Sequence, residues 1–255
     1  MTKSYEQSMI TLGTSSYEKL AGKETRWIPG DDKTKYNDNM KKNLHLMQLN
    51  GWDGARGELT YKINSDGFRA DEFSNEPSVM FLGCSMTMGV GIELENTWAQ
   101  MIAKDLGLKN HNLGTGGSNN DAAFRLFNHW HRRYKPELVV YYSPPPVRLE
   151  IFYTNRLHIV NLLPNSGDWV NDRVYQMWIS TDINAQLNQQ KNLLAVEYLC
   201  KQSNIPLVWL DNPQMFNLED ESEFISKEFG RDLLHPGNSW HRKMHKRIMS
   251  MIQEL

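Results

Sequence analysis

The sequence has few cysteines, almost no net charge and no long apolar run, and each shortage excludes a class of protein. Two cysteines, Cys84 and Cys200, are too few and too far apart to predict a disulfide framework or a zinc site, so we expect both thiols to be reduced. A formal net charge of -2 gives no basic surface for general nucleic-acid binding. Because no run of about 18 uncharged apolar residues occurs, neither a membrane span nor a membrane partner is expected.

The start of the chain also lacks an apolar segment of the length that a signal peptide needs. We therefore expect a cytoplasmic protein. Residues 1–60 are polar, with turn signals such as residues 29–32, and predict an irregular N-terminal extension with short helices around residues 34–48. This extension is expected to pack on a main domain of residues 61–255. Its expected anchors are Trp27, Trp52 and Tyr61.

From residue 79 onward, short apolar runs alternate with segments of amphipathic helical spacing. The predicted strands are residues 79–82, 111–113, 138–142 and 205–210. The predicted helices are residues 97–106, 119–134, 182–202 and 238–255. This alternation predicts an α/β fold, a three-layer α/β/α sandwich with a mainly parallel sheet. Residues 148–179 break the pattern and are expected to form an insertion over the active-site end of the sheet.

The apolar run that stops at Gly83 is followed by Cys84 and Ser85. A buried parallel strand over this run would put Ser85 at its carboxyl end, where open α/β sheets keep their chemistry. A serine hydroxyl is a poor nucleophile until a base removes its proton, so a catalytic Ser85 requires a histidine and an orienting acid. A serine that caps the next helix is the alternative, and the two roles are compatible.

Asp232 and His235 lie three residues apart near the end of the chain and supply both missing groups. A carboxylate at this spacing can hold one ring nitrogen of the histidine, which fixes its tautomer and stabilises the imidazolium. Histidines within predicted helices, such as His241, are expected to pack or to lie on the surface. The candidate catalytic residues are therefore Ser85 as nucleophile, His235 as general base and Asp232 as orienting acid.

Three blocks, two of which contain these residues, resemble, in order, those of the SGNH/GDSL hydrolases. Residues 83–85, Gly-Cys-Ser, are similar to the family's Gly-Asp-Ser, and residues 112–117 are similar to its Asn-x-Gly-x-x-Gly. Residues 232–235 are similar to its terminal Asp-x-x-His. The lead-in of residues 63–69 also resembles a segment that often precedes the first block in bacterial members. The resemblance covers about residues 61–255 and implies a flavodoxin-like α/β/α fold with serine esterase activity.

The resemblance also implies which groups stabilise the oxyanion that forms on the substrate. By the family's spacing, two donors are the backbone N–H groups of Ser85 and Gly117, and glycine lets the backbone approach the substrate closely. The family's third block, Gly-x-Asn-Asp, has no counterpart after the third strand, where residues 142–145 are Tyr-Ser-Pro-Pro. Because proline has no N–H, either the hole has two donors or a side chain supplies the third. The candidate side chains are Asn119, Asn120 and Ser143.

Two other templates fit the sequence less well. A dinucleotide-binding fingerprint needs a third glycine at residue 119, which is Asn, and no Lys-Ser/Thr of a P-loop is present. An α/β-hydrolase elbow is Gly-x-Ser-x-Gly, and residue 87 is Thr. A plain strand-to-helix turn remains the alternative for residues 114–117. Cys84, which replaces the Asp of the family's first block, is expected to matter for packing.

The sequence predicts a serine-dependent ester hydrolase that works through an acyl-enzyme intermediate, with no cofactor or metal. The resemblance implies a small-molecule or carbohydrate ester as substrate, from which a small acyl group such as acetyl is removed. The alternative is a non-catalytic binding or structural protein on the same scaffold, which the missing third block favours. Because family members of this kind occur in phage genomes, association with a virion belongs to that alternative. The sequence leaves the oligomeric state open.

Overall fold

The computed structural model describes residue 13 and residues 15–153, 158–162, 176–178, 182–211 and 228–255. Its first helices and strands are β1 (Glu24–Thr25), α1 (Lys33–Lys42), α2 (Leu44–Leu49) and β2 (Tyr61–Lys62). The later ones are β3 (Ser78–Leu82), α3 (Ser85–Met88), α4 (Trp98–Leu106), β4 (Lys109–Asn112), α5 (Asn120–Trp130), β5 (Leu138–Tyr142), β6 (Leu149–Tyr153), β7 (His158–Leu162), α6 (Asp182–Ser203), β8 (Leu207–Leu210) and α7 (Asn238–Gln253). Within these ranges, every helix is too short or too polar to cross a bilayer.

Four parallel strands form the central sheet, in the order β4-β3-β5-β8. Strand β3 lies between β4 and β5, and β8 lies on the other side of β5, with Val140 opposite Val208. The four predicted strands are confirmed, with shifted ends. Strand β4 starts at Lys109, two residues early, and β8 starts at Leu207 because Pro206 has no N–H for the ladder.

Helices cover both faces of this sheet, and successive strand side chains alternate between the faces. One face packs against α4 and α7, and its buried side chains include Val79, Phe81, Tyr142, Trp98 and Trp240. The other face packs against α5 and α6, and its buried side chains include Met80, Leu82, Tyr141, Phe127 and Val196. The predicted three-layer α/β/α sandwich is therefore confirmed.

The helices on either side of β4 begin and end at capping residues. The Thr97 hydroxyl accepts the backbone N–H of Gln100 at 3.2 Å, and α4 ends where Gly107 adopts a φ of 66°. The Asn119 side chain accepts the backbone N–H of Ala122 at 2.9 Å at the start of α5. The sequence predicts both starts, whereas α5 ends four residues earlier than predicted, at residue 130.

The short helices predicted around residues 34–48 are two, which meet at Asn43. Helix α1 begins after Asp32, whose carboxylate accepts the backbone N–H of Lys35 at 2.9 Å. Helix α2 packs through the fully buried Met47, which clusters with Trp52 and Ile92. This part of the extension is therefore packed against the main domain through a small apolar cluster that includes Ile92.

The extension pairs with the start of the main domain, because β1 and β2 form an antiparallel pair. Of the expected anchors, Trp52 and Tyr61 are fully buried and Trp27 is half-buried. The Trp52 indole also donates to the backbone carbonyl of Phe229 at 2.9 Å, near the C-terminal end of the chain. A domain boundary near residue 60 stays a prediction. The pairing of β1 with β2 shows that the segments before and after residue 60 are in contact.

A β-hairpin occupies part of the predicted insertion, with β6 and β7 antiparallel and Leu149 opposite Leu162. Glu150 in this hairpin accepts two hydrogen bonds from the Arg125 guanidinium of α5, at 2.7 and 2.9 Å. This buried ion pair fixes the hairpin to the helix. Residues 154–157, 163–175 and 179 of the predicted insertion, and residues 212–227 of the later loop, lie outside the described residues.

Candidate active site

The turn that presents Ser85 is tightly packed between two strand ends. Strand β3 ends at Leu82, and a Cβ on Gly83 would lie 2.0 Å from Thr87 Oγ1 and 2.8 Å from the Tyr142 carbonyl oxygen. Only glycine fits there without displacing one of them. Ser85 opens α3 and is 7% exposed. Its N–H, at the first position of a helix, has no acceptor within that helix.

Two buried side chains brace the other end of this short helix. The Arg69 guanidinium donates to the carbonyl oxygens of Gly89 at 2.5 Å and Ile92 at 2.9 Å. The Asn112 side chain donates to the Thr87 carbonyl oxygen at 2.8 Å from the end of β4. These hydrogen bonds hold the backbone that follows Ser85 from two sides, which fixes the direction of the turn.

Asp232 and His235 form a closely hydrogen-bonded pair. The Asp232 Oδ2 and His235 Nδ1 atoms lie 2.6 Å apart. The second carboxylate oxygen accepts the backbone N–H groups of Leu234 at 3.1 Å and His235 at 3.0 Å. The Asp232 side chain is fully buried, whereas the His235 ring is 21% exposed. The carboxylate is therefore held by three hydrogen bonds, whereas part of the His235 side chain is accessible.

The environment of Asp232 keeps its carboxylate ionised. Burial alone would raise the pKa of Asp232, but the hydrogen bond and charge of His235 and two backbone N–H groups outweigh burial and lower this pKa below its usual 3.8. An ionised carboxylate only accepts hydrogen bonds, so the proton of the short contact belongs to His235 Nδ1. In the neutral ring, Nε2 then carries the free lone pair that a general base needs.

The loop that carries this pair touches the segment that follows Ser85. The backbone N–H of Arg231 donates to the Gly91 carbonyl oxygen at 2.7 Å. A Cβ on Gly91, whose φ is 83°, would lie 3.2 Å from Asp232 Oδ1. Among the described residues, no hydrogen bond joins the Ser85 hydroxyl to the His235 ring, so that contact stays a prediction.

The glycine loop after β4 lies against the same helix. A Cβ on Gly114 would lie 2.8 Å from Thr87 Cβ and 3.0 Å from the Met88 nitrogen. The Gly114 N–H donates to Asn112 Oδ1 at 2.8 Å, which ties the loop to the side chain that braces α3. Gly117 has a φ of 71°, in the left-handed region that favours glycine. The loop that carries the second expected oxyanion donor is thus packed beside the Ser85 turn.

Two of the side chains considered as third oxyanion donors are hydrogen-bonded to each other. Asn120 Oδ1 accepts the hydroxyls of Tyr141 at 2.6 Å and Ser143 at 2.9 Å. The Asn120 amide donates to the Pro144 carbonyl oxygen at 3.1 Å. Asn119 is fully buried and caps α5. A role of any of these three side chains toward substrate stays a prediction, and for Ser143 it would require the present hydrogen bond to be exchanged.

His241, the other histidine of the C-terminal segment, is a packing residue. Its ring is buried, and Nδ1 accepts the backbone N–H of Trp98 at 3.2 Å. Burial, together with the charges of Arg69 and His235, lowers the pKa of His241 from 6.5 to about 3, so it stays neutral at pH 7. Cys84 and Cys200 are both free and buried. In the described ranges, no group of three His, Cys, Asp or Glu side chains lies close enough together to hold a metal ion.

Sequence reasoning missed the buried charged residues that surround the site. Arg231 and Asp31 form an ion pair at 2.9 Å with less than 2% of either side chain exposed. They are 200 residues apart in the sequence, so no local spacing indicates the pair. Arg69 was visible only as the last residue of the lead-in segment. A buried role for it was not predictable because nothing local marks its acceptors.

The chain is similar to several proteins of known structure. One is EstA, a psychrotrophic esterase from Pseudoalteromonas sp. inhibited by monoethylphosphonate, with a TM-score of 0.43 and 13% identity over 71% of this chain and 98% of that chain. Another is Est2A, an acetyl xylan esterase from the rumen bacterium Butyrivibrio proteoclasticus, with a TM-score of 0.39 and 12% identity over 70% of this chain and 64% of that chain. A third structure, of TesA, matches with a TM-score of 0.46 and 11% identity over 69% of this chain and 98% of that chain. No protein-family model matches the chain, and no curated protein matches its sequence.

Proposed function

We propose that the protein is a serine-dependent ester hydrolase with Ser85 as nucleophile, His235 as general base and Asp232 as orienting acid. The observation that carries the proposal is the 2.6 Å contact between Asp232 Oδ2 and His235 Nδ1. It leaves His235 Nε2 as the acceptor, in a loop that contacts the segment after Ser85. Together with the ordered sequence blocks, this geometry supports serine acyl transfer over the other chemistries considered.

In the proposed reaction, Ser85 Oγ attacks the ester carbonyl carbon while its proton passes to His235 Nε2. The tetrahedral intermediate collapses, the C–O bond to the alcohol breaks, and the imidazolium returns that proton to the leaving oxygen. Water then attacks the acyl-serine with His235 again as the base, which releases the acid and restores Ser85. Asp232 stays ionised throughout and stabilises the imidazolium.

The oxyanion of the tetrahedral intermediate is proposed to accept hydrogen bonds from the backbone N–H groups of Ser85 and Gly117. The packing of the glycine loop against α3 supports this pairing, because both N–H groups belong to segments that touch. A third donor, if present, is one of Asn119, Asn120 and Ser143. Loss of one donor from such a hole typically costs about 10²–10³ in rate.

The substrate is proposed to be a small acyl ester, such as acetyl, on a carbohydrate. Support for this finer statement is the resemblance of residues 83–85, 112–117 and 232–235 to the SGNH/GDSL blocks. A non-catalytic binding or structural protein, including one in a virion, is the second candidate. The observation that favours it is that Ser143, which stands where the family keeps its third block, is hydrogen-bonded to Asn120 within the fold.

A panel of p-nitrophenyl esters of increasing acyl length, with an acetylated xylo-oligosaccharide beside it, tests the proposal. Ser85→Ala should abolish turnover of every ester that the wild type hydrolyses. Ser78→Ala is the matched control, because Ser78 is also buried and lies at the start of β3, whereas Ser85 follows the end of that strand. Turnover that survives in Ser85→Ala would remove the nucleophile, and a wild type inactive on every ester would favour the binding protein.

A further inference from the structure

Four buried side chains connect the Ser85 turn with the Asp232–His235 loop. They are Arg69, Tyr61, Asp31 and Arg231, none of them more than 1% exposed. They come from three separate parts of the sequence, and we refer to these four as the buried bridge. Charged side chains are almost never buried to this degree unless they are paired, so their arrangement requires an explanation.

At the Ser85 side, Arg69 holds the backbone that leaves α3. Its guanidinium donates to the carbonyl oxygens of Gly89 and Ile92, which lie four and seven residues after Ser85. The same guanidinium lies over the Tyr61 ring, 4.6 Å from the ring centre. This cation–π contact links the segment after Ser85 to the second member of the bridge.

In the middle of the bridge, the Tyr61 hydroxyl makes two hydrogen bonds at once. It donates to the Asp31 carboxylate and accepts the backbone N–H of Gly91 at 2.9 Å. Burial first, and then the charge of Asp31, raise the pKa of Tyr61 well above its usual 10.0. The phenol therefore keeps its proton at neutral pH and can donate it to Asp31.

At the histidine side, Arg231 precedes Asp232 directly and is held by its guanidinium. It pairs with Asp31 at 2.9 Å and donates to the carbonyl oxygens of Gly57 and Leu59, each at 2.9 Å. Its own backbone N–H donates to the Gly91 carbonyl oxygen at 2.7 Å. Gly91 is thus bonded through its N–H to Tyr61 and through its carbonyl to Arg231, which closes a ring of contacts.

We propose that Asp31, Tyr61 and Arg231 are positioning residues that set the Asp232–His235 pair against the Ser85 turn. This inference rests on the proposed function and adds that the N-terminal extension, through Asp31, is part of the catalytic apparatus. A buried ion pair adds little net stability compared with apolar residues of the same volume, but it fixes geometry where several bonds converge. Displacing a catalytic group by about 1 Å can cost about 100-fold in rate.

The test compares Tyr61→Phe with a matched control. Tyr61→Phe keeps the buried ring but removes the hydroxyl that joins Asp31 to Gly91. Glu150→Gln is the control, because it alters another buried ion pair, in which Glu150 of the β6–β7 hairpin binds Arg125 of α5. A thermal melt of each variant establishes that it is folded.

Two readouts separate positioning from stability. The first is the proton resonance of His235 Nδ1–H in the free protein, followed with ¹⁵N-labelled histidine and assigned with His235→Gln. The second is kcat and KM for p-nitrophenyl acetate across pH. Tyr61→Phe should shift the resonance and lower kcat about 100-fold with KM within about threefold, since only alignment is lost. Glu150→Gln should leave the resonance and kcat at wild-type values even where its melting temperature falls.

The outcomes distinguish this inference from the proposed function. A folded Tyr61→Phe with the wild-type resonance and, where the wild type is active, the wild-type kcat overturns the positioning role. If no ester is turned over by the wild type, a resonance that shifts in Tyr61→Phe and not in Glu150→Gln supports positioning while the esterase proposal fails. Should Tyr61→Phe not fold, Arg231→Lys, which keeps the charge and loses the planar fork, provides the same comparison.

Discussion

Asp232 shows how one residue combines a structural and a chemical role. Its Oδ1 accepts two backbone N–H groups and shapes the loop, while its Oδ2 holds His235 Nδ1. An oxygen at the Oδ1 position is enough for the loop, whereas the tautomer of His235 depends on an acceptor at Oδ2. The two roles can therefore be separated by a single substitution.

Asp232→Asn should keep the fold and lower the ester turnover by roughly 10⁴-fold, because an amide nitrogen facing His235 Nδ1 favours the wrong tautomer. Rate constants measured beside thermal melts check this. Wild-type activity in a folded Asp232→Asn would exclude the acid from the mechanism. Lower stability with wild-type turnover would give Asp232 a purely structural role.

Single substitutions can also identify the third oxyanion donor. Removal of a side chain that donates to the oxyanion should reduce kcat by about 10²–10³-fold, while KM barely changes. Asn120→Ala and Ser143→Ala test two candidates, and Asn119→Ser tests the third because serine preserves the cap of α5. If all three variants keep turnover within about threefold of wild type, the activation free energy has changed by less than about 1 kcal/mol. The oxyanion hole would then consist of two backbone N–H groups.

Among the elements, the strands and helices of the sheet follow from the sequence, because their signals are local. The apolar runs of β3 and β5 and the caps at Thr97, Gly107 and Asn119 predict the structure found. The position of the break at Asn43 was not predicted, since the polar residues around it include no proline or glycine. The buried bridge was beyond sequence reasoning, because its contacts join residues far apart along the chain and depend on the folded backbone.

The end of β3 offers a test of how tightly this element packs. Gly83→Ala should destabilise the protein by about 1–3 kcal/mol, because its Cβ would overlap Thr87 and the Tyr142 carbonyl oxygen. It should also lower turnover, since the displaced atoms lie beside Ser85. Gly54→Ala is the control, as nothing lies within 4 Å of the added Cβ. Denaturant unfolding of both variants checks this, and equal stability of the two would show that the turn can relax.

For the molecule as a whole, buried neutral histidines predict an acid-sensitive fold. Burial is the main cause that lowers the pKa of His241 to about 3 and that of His111 to about 4, from 6.5 in both. Between these values and 6.5 the unfolded chain binds more protons than the folded protein. Stability should therefore fall as the pH decreases below about 6.5, by up to about 1.4 kcal/mol per pH unit for each histidine.

His241→Asn isolates one of these contributions, because its side-chain oxygen can replace Nδ1 as the acceptor of the Trp98 N–H. The variant should lose stability less steeply than wild type between pH 6.5 and pH 5, even if it is less stable at pH 7.5. Thermal or urea unfolding across this range gives both slopes. Identical slopes would mean that His241 does not titrate between the folded and unfolded states as its burial implies.

The most direct measurement of the central claim is the mass of the protein quenched in acid during turnover of p-nitrophenyl acetate. A serine mechanism predicts one added acetyl group, located at Ser85 by peptide mapping and absent from Ser85→Ala. The adduct should persist longer in His235→Gln, if it forms there at all, because deacylation needs the same base. Turnover by the wild type with the adduct on another residue, or undiminished turnover in Ser85→Ala, would contradict a mechanism centred on Ser85, His235 and Asp232.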